Sequence, residues 1–213
     1  MVDKKTILTA VQAALEKAPE RKFPETVELA FNLVNIDLSI PKNRIDEEVT
    51  LPKGRGKTPK VAIFASGELA VKARASADLV IQPEQIDELA GDKREARKVV
   101  DKHTFFLSEA PLMPTIGRTL GTVLGPRGKM PRPVPPGSDP AALINTLKNS
   151  VRARSRDRRT FHCPIGTRAM TPEDLTDNAA LVLDRITKKL ERGEQNFASV
   201  YVKTTMGPAQ KII

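Results

Sequence analysis

Apolar positions recur along the chain with two different periods, and the points where the period changes divide it into three zones. Ile7, Leu8, Val11, Ala14 and Leu15 share one side of a helical repeat, which predicts an amphipathic helix over about residues 4–17, stopped near Pro19. The period then becomes two. Val27, Leu29, Phe31 and Leu33 alternate with Thr26, Glu28, Ala30 and Asn32, as in a strand with one buried face. A short second strand is expected at Val49–Leu51, after a turn-rich link around Pro41–Asp46. One helix and two strands make too small a core to stand alone.

The middle zone carries unbroken apolar runs instead. Val61–Ala65 and Leu79–Ile81 read as buried parallel strands, each followed by a helical segment, with Pro83 suited to a first helical position. Gly91 closes one helix and a charged helix follows over about 92–101. Thr104–Leu107 supplies a third strand before the stripe of Met113, Ile116, Leu120 and Val123. Strand and helix in alternation predict a small α/β layer. The zone then frays into a loop, Gly125–Gly137, with prolines at 126, 131, 133, 135 and 136, before a short helix at about 139–149.

Alternation returns in the last zone. Over Val151–Arg156 it sends Arg152, Arg154 and Arg156 to one face of a strand and Val151, Ala153 and Ser155 to the other. A tight connection at Asp157–Arg159 leads to Phe161, Cys163 and Ile165, which lie opposite His162. Thr171, Pro172 and Asp174 have the chemistry of a helix start. Leu175, Ala179, Val182, Ile186 and Leu190 form the buried stripe of that helix, and Gly193 suits its end. A final strand at about 197–205 passes through Lys203 and runs into Thr205, Met206, Gly207 and Pro208. Gly207 lacks the Cβ that would hold a backbone away from a sugar or base edge, although on local chemistry alone this turn reads as an ordinary strand exit. Joined to the first zone, the last one gives a helix-backed antiparallel sheet made from both ends of the chain, with the α/β unit inserted in it.

Charge then selects the partner. There are 35 Lys+Arg against 26 Asp+Glu, a formal net charge of +9, so the surface attracts polyanions. No apolar run approaches the roughly 18 residues of a spanning helix, and Met1–Lys17 lacks the apolar block of a secretory signal. A cytoplasmic protein without a membrane partner is expected, which the single Cys163 fits. Aromatics make up 4% of the chain and Trp is absent, which favours reading of RNA shape, phosphate and 2′-hydroxyl over stacking on successive ring platforms.

Catalytic constellations fail one by one. Gly56, Lys57 and Thr58 imitate the end of a phosphate-binding P-loop, but its first glycine would fall on Leu51, and Pro59 follows. Gly128 and Lys129 precede Met130, where a hydroxyl is needed. His162 and Cys163 are strand neighbours and face opposite ways. Two histidines and one cysteine are too few for a zinc site, and no G-x-G-x-x-G follows the first strand of the inserted unit. No enzyme, metal or cofactor is expected.

Three separated segments resemble a known family. Lys22, Phe23, Pro24, Glu25, Thr26, Val27 and Glu28 form the first, Leu124 to Pro131 with Gly125, Pro126, Arg127, Gly128, Lys129 and Met130 the second, and Thr205, Met206, Gly207 and Pro208 the third. In this order they are similar to the large-subunit ribosomal protein L-one family, the protein of the mobile stalk, in its archaeal form. The resemblance implies a two-domain α/β fold. Residues 1–57 and 150–213 would form a discontinuous α+β domain that anchors RNA, and 58–149 an inserted Rossmann-like α/β domain. Gly54, Gly56 and Pro59 stand at one hinge crossing.

It also implies a site. Lys22, Phe23, Glu25 and Thr26, with Lys203, Thr205, Met206 and Gly207, match the family's RNA surface: Phe23 and Met206 to cover bases, Thr26 and Thr205 to reach 2′-hydroxyls. A buried staple is the alternative for Phe23, and a structural hydrogen bonder for His162, which matches a family histidine near the RNA. The face of Arg152, Arg154 and Arg156 is read as a phosphate contact, against a merely solvated strand. Arg127 and Lys129 form either a weak phosphate loop or a rigid connection. The implied partners are large-subunit ribosomal RNA, transfer RNA leaving the exit site, and the leader of the protein's own messenger, whose translation it would repress. It would be a monomer when free of the ribosome. A general basic nucleic-acid binder is the competing reading.

Overall fold

The computed structural model describes residues 3–135 and 138–213. In chain order the elements are α1 (Lys4–Glu16), β1 (Thr26–Leu33), β2 (Asp46–Thr50), β3 (Val61–Phe64), α2 (Gly67–Arg74), β4 (Leu79–Ile81), α3 (Pro83–Gly91) and α4 (Lys93–Lys102). They continue as β5 (Phe105–Glu109), α5 (Met113–Thr119), α6 (Gly121–Arg127), β6 (Arg132–Val134), α7 (Pro140–Lys148), β7 (Ser150–Arg154), β8 (Thr160–Thr167), α8 (Pro172–Lys189), β9 (Phe197–Thr204) and β10 (Gln210–Lys211). Two compact units result, Met1–Lys57 with Asn149–Ile213, and Thr58–Lys148.

The first unit is built on an antiparallel sheet in the order β10-β9-β1-β8. Period-two patterning in β1 buries Val27, Leu29, Phe31 and Leu33 against Ile7, Val11 and Ala14 of α1 and Leu175, Ala179, Val182 and Ile186 of α8. Phe31 stacks on Phe161 of β8 with ring centroids 4.9 Å apart. Because one face is filled by helices, the other turns outward, and Glu28, Ala30 and Asn32 lie on it between their β8 and β9 partners. A separate ribbon pairs β2 with β7, Val49 opposite Val151, and adds to the same core.

The second unit is a parallel sheet, β4-β3-β5-β6. Both of its faces are covered, as its unbroken apolar runs require: Ala62 and Phe64 join the cluster with Ile86 and Ile116, while Val61 and Ile63 join that with Ala70 and Ile144. The α/β fold class read from the sequence is the one observed.

Several local expectations change. The stripe from Met113 to Val123 belongs to two short helices, α5 and α6, which meet at Leu120. Gly125–Gly137 is more ordered than a loop: Pro126 lies inside α6, Gly128 closes that helix at φ +67, and Arg132–Val134 adds a fourth strand. Pro133 is tolerated there because β6 is an edge, where a missing N–H costs no ladder bond. Pro136 and Gly137 lie outside the described residues. Strand β2 begins at Asp46, three positions before its apolar signal, because its acidic residues pair across the ribbon with arginines. Gly193 does not close α8; Leu190 does, and Gly193 opens a one-turn 3₁₀ segment at φ +55.

Candidate nucleic-acid interface

The link between α1 and β1 holds no regular structure, yet its backbone is tied down. Arg168, just past β8, donates from Nη1 to Pro19 O at 2.8 Å and from Nη2 to Ala18 O at 3.2 Å, while its own N–H reaches Glu25 O at 2.9 Å. Lys57 Nζ donates to Pro24 O at 2.8 Å. Two cations therefore satisfy carbonyls that the chain leaves unpaired.

That pinned link meets the end of β9. Thr205 donates to Thr26 O twice, from its N–H at 2.9 Å and from its hydroxyl at 3.1 Å. One residue on, the Met206 N–H donates to Glu25 Oε1 at 3.1 Å. The two motifs are thus joined by hydrogen bonds across about 180 positions of sequence, in keeping with the strand pairing of Val27 and Thr204. Their apolar side chains stay outside: Phe23 is 51% exposed and Met206 58%. The buried-staple alternative for Phe23 is ruled out.

Two expected site residues turn inward. Glu25 is 1% exposed, with Oε2 lying 3.6 Å from Arg168 Nη1, so its carboxylate brackets the two segments and offers nothing to a ligand. Gly207 is also explained from within. A Cβ there would lie 2.3 Å from Thr204 Oγ1 and 3.2 Å from Ala18 Cβ, so the missing side chain makes room for the protein's own core. The expectation that Gly207 admits a sugar or base is corrected on this point.

On the open sheet face, register produces a polar row that sequence reading missed. Glu28 lies opposite Lys203 on β9 and next to the His162 row on β8. His162 Nδ1 is 3.3 Å and Lys203 Nζ 3.7 Å from Glu28 Oε1, and Lys203 also donates to Thr205 O at 3.2 Å. Further along, Thr160 donates to Asn32 Oδ1 at 2.9 Å and Asn32 donates to Ser199 Oγ at 2.8 Å. Only strand pairing reveals these contacts; Glu28 and Lys203 carry no local signal of each other. Lys22 is fully outside, beside Phe23.

The arginine face is different from what alternation suggests. Arg152 donates from Nη2 to Asp46 Oδ2 at 2.7 Å, and Arg154 Nε lies 3.5 Å from the same oxygen, so both cations are shared with a carboxylate on β2. The strand ends at Arg154; Ser155 is buried and its hydroxyl accepts from Ile45 N–H at 3.0 Å, which leaves Arg156 in a left-handed turn at φ +53 and out of the row. These residues sit on the β2–β7 ribbon, not on the four-stranded sheet that carries Thr26 and Lys203.

In the second unit, Arg127 and Lys129 are engaged. Arg127 Nε donates to Asp101 at 2.8 Å. Lys129 Nζ donates to Val100 O at 2.7 Å and His103 O at 2.8 Å, satisfying carbonyls at the C-terminal end of α4. Burial lowers the Lys129 pKa from its ordinary value. Of the two readings of this loop, the rigid connection is the one observed, and the phosphate-loop expectation is corrected.

Among the described residues no group of three or more His, Cys, Asp and Glu is placed to hold a metal ion, and no helix is long and apolar enough to cross a membrane. Cys163 is fully buried, and burial pushes its thiol up to about 12, far from the thiolate a nucleophile needs. His162 lies on the opposite face of β8.

A basic protein with a helix-backed antiparallel sheet, one face of it open and polar, and a parallel α/β unit interposed in its sequence, is the class these features define. Residues 14–208 match the Ribosomal protein L1p/L10e family, and the chain belongs to it. It is 54% identical over 211 residues to the large ribosomal subunit protein uL1 of Methanocella arvoryzae, covering 99% of both chains. The uL1 of Thermoplasma acidophilum is 56% identical over 203 residues, with 95% of this chain and 94% of that one covered. That of Archaeoglobus fulgidus is 50% identical over 214 residues and covers both chains in full. The family is structural and non-enzymatic, in keeping with the failed catalytic constellations.

Proposed function

We propose that the protein is a structural constituent of the large ribosomal subunit that binds large-subunit ribosomal RNA through the open face and rim of its antiparallel sheet. It would reside with the ribosome in the cytoplasm. The contact set is Lys22, Phe23, Thr26, His162, Lys203, Thr205 and Met206, with Glu25 and Gly207 holding the set together from beneath. Arg152 and Arg154, shared with Asp46, are left out of it. One observation carries the reading: two large apolar side chains, Phe23 and Met206, are held in solvent on segments cross-linked through the buried Glu25. Exposed apolar groups on a rigid, basic frame suit the faces of unpaired bases, while the hydroxyls and lysines suit ribose and phosphate.

Residues 1–57 and 150–213 are the RNA anchor in this proposal, and 58–149 the mobile part through which release of transfer RNA from the exit site is assisted. Repression of its own messenger follows if the leader presents the same RNA shape to the same residues. The free protein is proposed to be a monomer. The test is binding to a ribosomal stalk RNA fragment and to an unrelated RNA of equal length, across a range of salt. The fragment should bind at least about a hundredfold tighter at moderate salt, as specific sites do over non-specific ones. Equal affinities with equal salt slopes would leave a general basic binder and end this reading.

A further inference from the structure

The stretch Lys53-Gly54-Arg55-Gly56-Lys57 is fixed on both sides of its central arginine. Asn178, fully buried on α8, accepts from Lys53 N–H at 3.2 Å and donates to Gly54 O and to Ile165 O, each at 2.9 Å. Lys53 Nζ lies 3.3 Å from Asp174. Gly54 and Gly56 adopt φ of +68 and +73, and a Cβ on Gly56 would lie 2.3 Å from Thr167 Oγ1. Lys57 is spent on Pro24 O. Both lysines are therefore occupied, and the backbone on either side of Arg55 is held by contacts within the first unit.

Arg55 itself is half-buried, and among the described residues it makes no hydrogen bond and no ion pair. Among them, the one ionisable group whose charge would act on it is Cys163, and that thiol stays neutral. Its burial lowers the guanidinium pKa, a mark of lost hydration that no carboxylate offsets. A half-buried cation without a partner keeps only part of its hydration, and its N–H donors stay open to an anion. Lys57, two positions on, is bonded to Pro24, between Phe23 and the Glu25 bracket. The segment that carries Arg55 is therefore tied, at Lys57, to the link that presents Phe23.

We propose that Arg55 is a phosphate-binding residue, whose missing counter-ion is a phosphodiester of the RNA that lies on this sheet. The assignment rests on the RNA-binding reading above and extends it to a residue of the crossing segment. Guanidinium matches phosphate through paired N–H donors, which a lysine cannot reproduce.

The experiment compares wild type, Arg55→Met and Arg55→Lys in two measurements: thermal melting of the free protein, and binding to the ribosomal RNA fragment over a range of salt. Arg55→Met should melt at the same temperature or higher, bind about tenfold more weakly, and show a log–log salt slope smaller by about one. Arg55→Lys should keep the slope and lose part of the affinity. Unchanged affinity and slope in Arg55→Met overturn the proposal, as does a lowered melting temperature in both variants without loss of affinity, which makes Arg55 a structural residue. If wild type fails to prefer the ribosomal fragment, the ribosomal reading falls; Arg55 is then judged by its salt slope on the unrelated RNA, where a change of about one still supports it and no change overturns it.

Discussion

The carboxylate of Glu25 accepts the backbone N–H of Met206 at 3.1 Å from a position 1% exposed to solvent. A residue from the beginning of the chain thereby sets the height of one from the end, and the exposed Met206 side chain is presented by a buried neighbour. Glu25→Ala should destabilise the protein by about 1–3 kcal/mol, because a hydrogen-bonded buried acceptor is lost, and should weaken specific RNA binding with it. Glu25→Gln, which keeps an acceptor, should recover most of both. Denaturant unfolding read alongside RNA binding checks the pair; an Ala variant of wild-type stability would show that the bracket holds nothing.

Phe23→Ala and Met206→Ala separate binding from folding. Both side chains are more than half exposed, so each substitution should change stability by no more than about 0.5 kcal/mol. If they cover bases, each should cost about 1–3 kcal/mol of RNA affinity at unchanged salt slope. Titrations at several salt concentrations, with melting curves for the same variants, give both quantities.

Gly207→Ala tests whether the glycine serves the inside or the outside. The new methyl would meet Thr204 Oγ1, so folding should be weakened by about 1–3 kcal/mol even without RNA. Adding Thr204→Ala removes that oxygen and should restore much of the loss. Were the glycine needed for ligand approach alone, the free single variant would unfold like wild type.

Lys129→Met should loosen the end of α4, leaving Val100 O and His103 O without their donor, at a cost of about 1–3 kcal/mol. Hydrogen exchange in α4 should rise while RNA affinity stays within twofold. A selective loss of RNA binding with unchanged exchange would return the residue to a phosphate role.

Cys163 gives a prediction about pH. Its thiol is raised from the ordinary 9.0 to about 12 by burial, so the folded state holds a proton that the unfolded state releases. Above about pH 9 the unfolded chain binds fewer protons, so stability present at neutral pH falls as pH rises toward 12. Cys163→Ala should flatten that alkaline fall. At neutral pH the native thiol should resist alkylation and react only on unfolding, as a thiol assay with and without denaturant will show.

Local pattern carried the elements well where one face is buried and the period is clean. Thr26–Leu33 and Pro172–Lys189 were legible because alternation and a capped helical stripe state their own burial. What escaped was pairing between distant residues. Nothing near Arg152 announces Asp46, 106 positions away, and an arginine row looked free until β2 was laid against β7. Glu25 sat in an exposed, charged segment and gave no sign that Met206 and Arg168 would enclose it. The motif around Lys129 was visible, but its role depended on where α4 ends. Gly54 and Gly56 were legible as a crossing, but nothing near them announced that Asn178 and Thr167 would meet that segment.

In the antiparallel sheet β1 is an interior strand, whose neighbours β8 and β9 are made more than a hundred residues later. A growing chain therefore completes its interior parallel unit while Val27, Leu29 and Phe31 still lack the cover of α8 and their strand partners β8 and β9. Under the RNA-binding proposal, the contact set exists only once β9 has paired with β1. Nascent chains halted before Phe197 should therefore not compete for the ribosomal fragment, and that competition should appear only once β9 has been made.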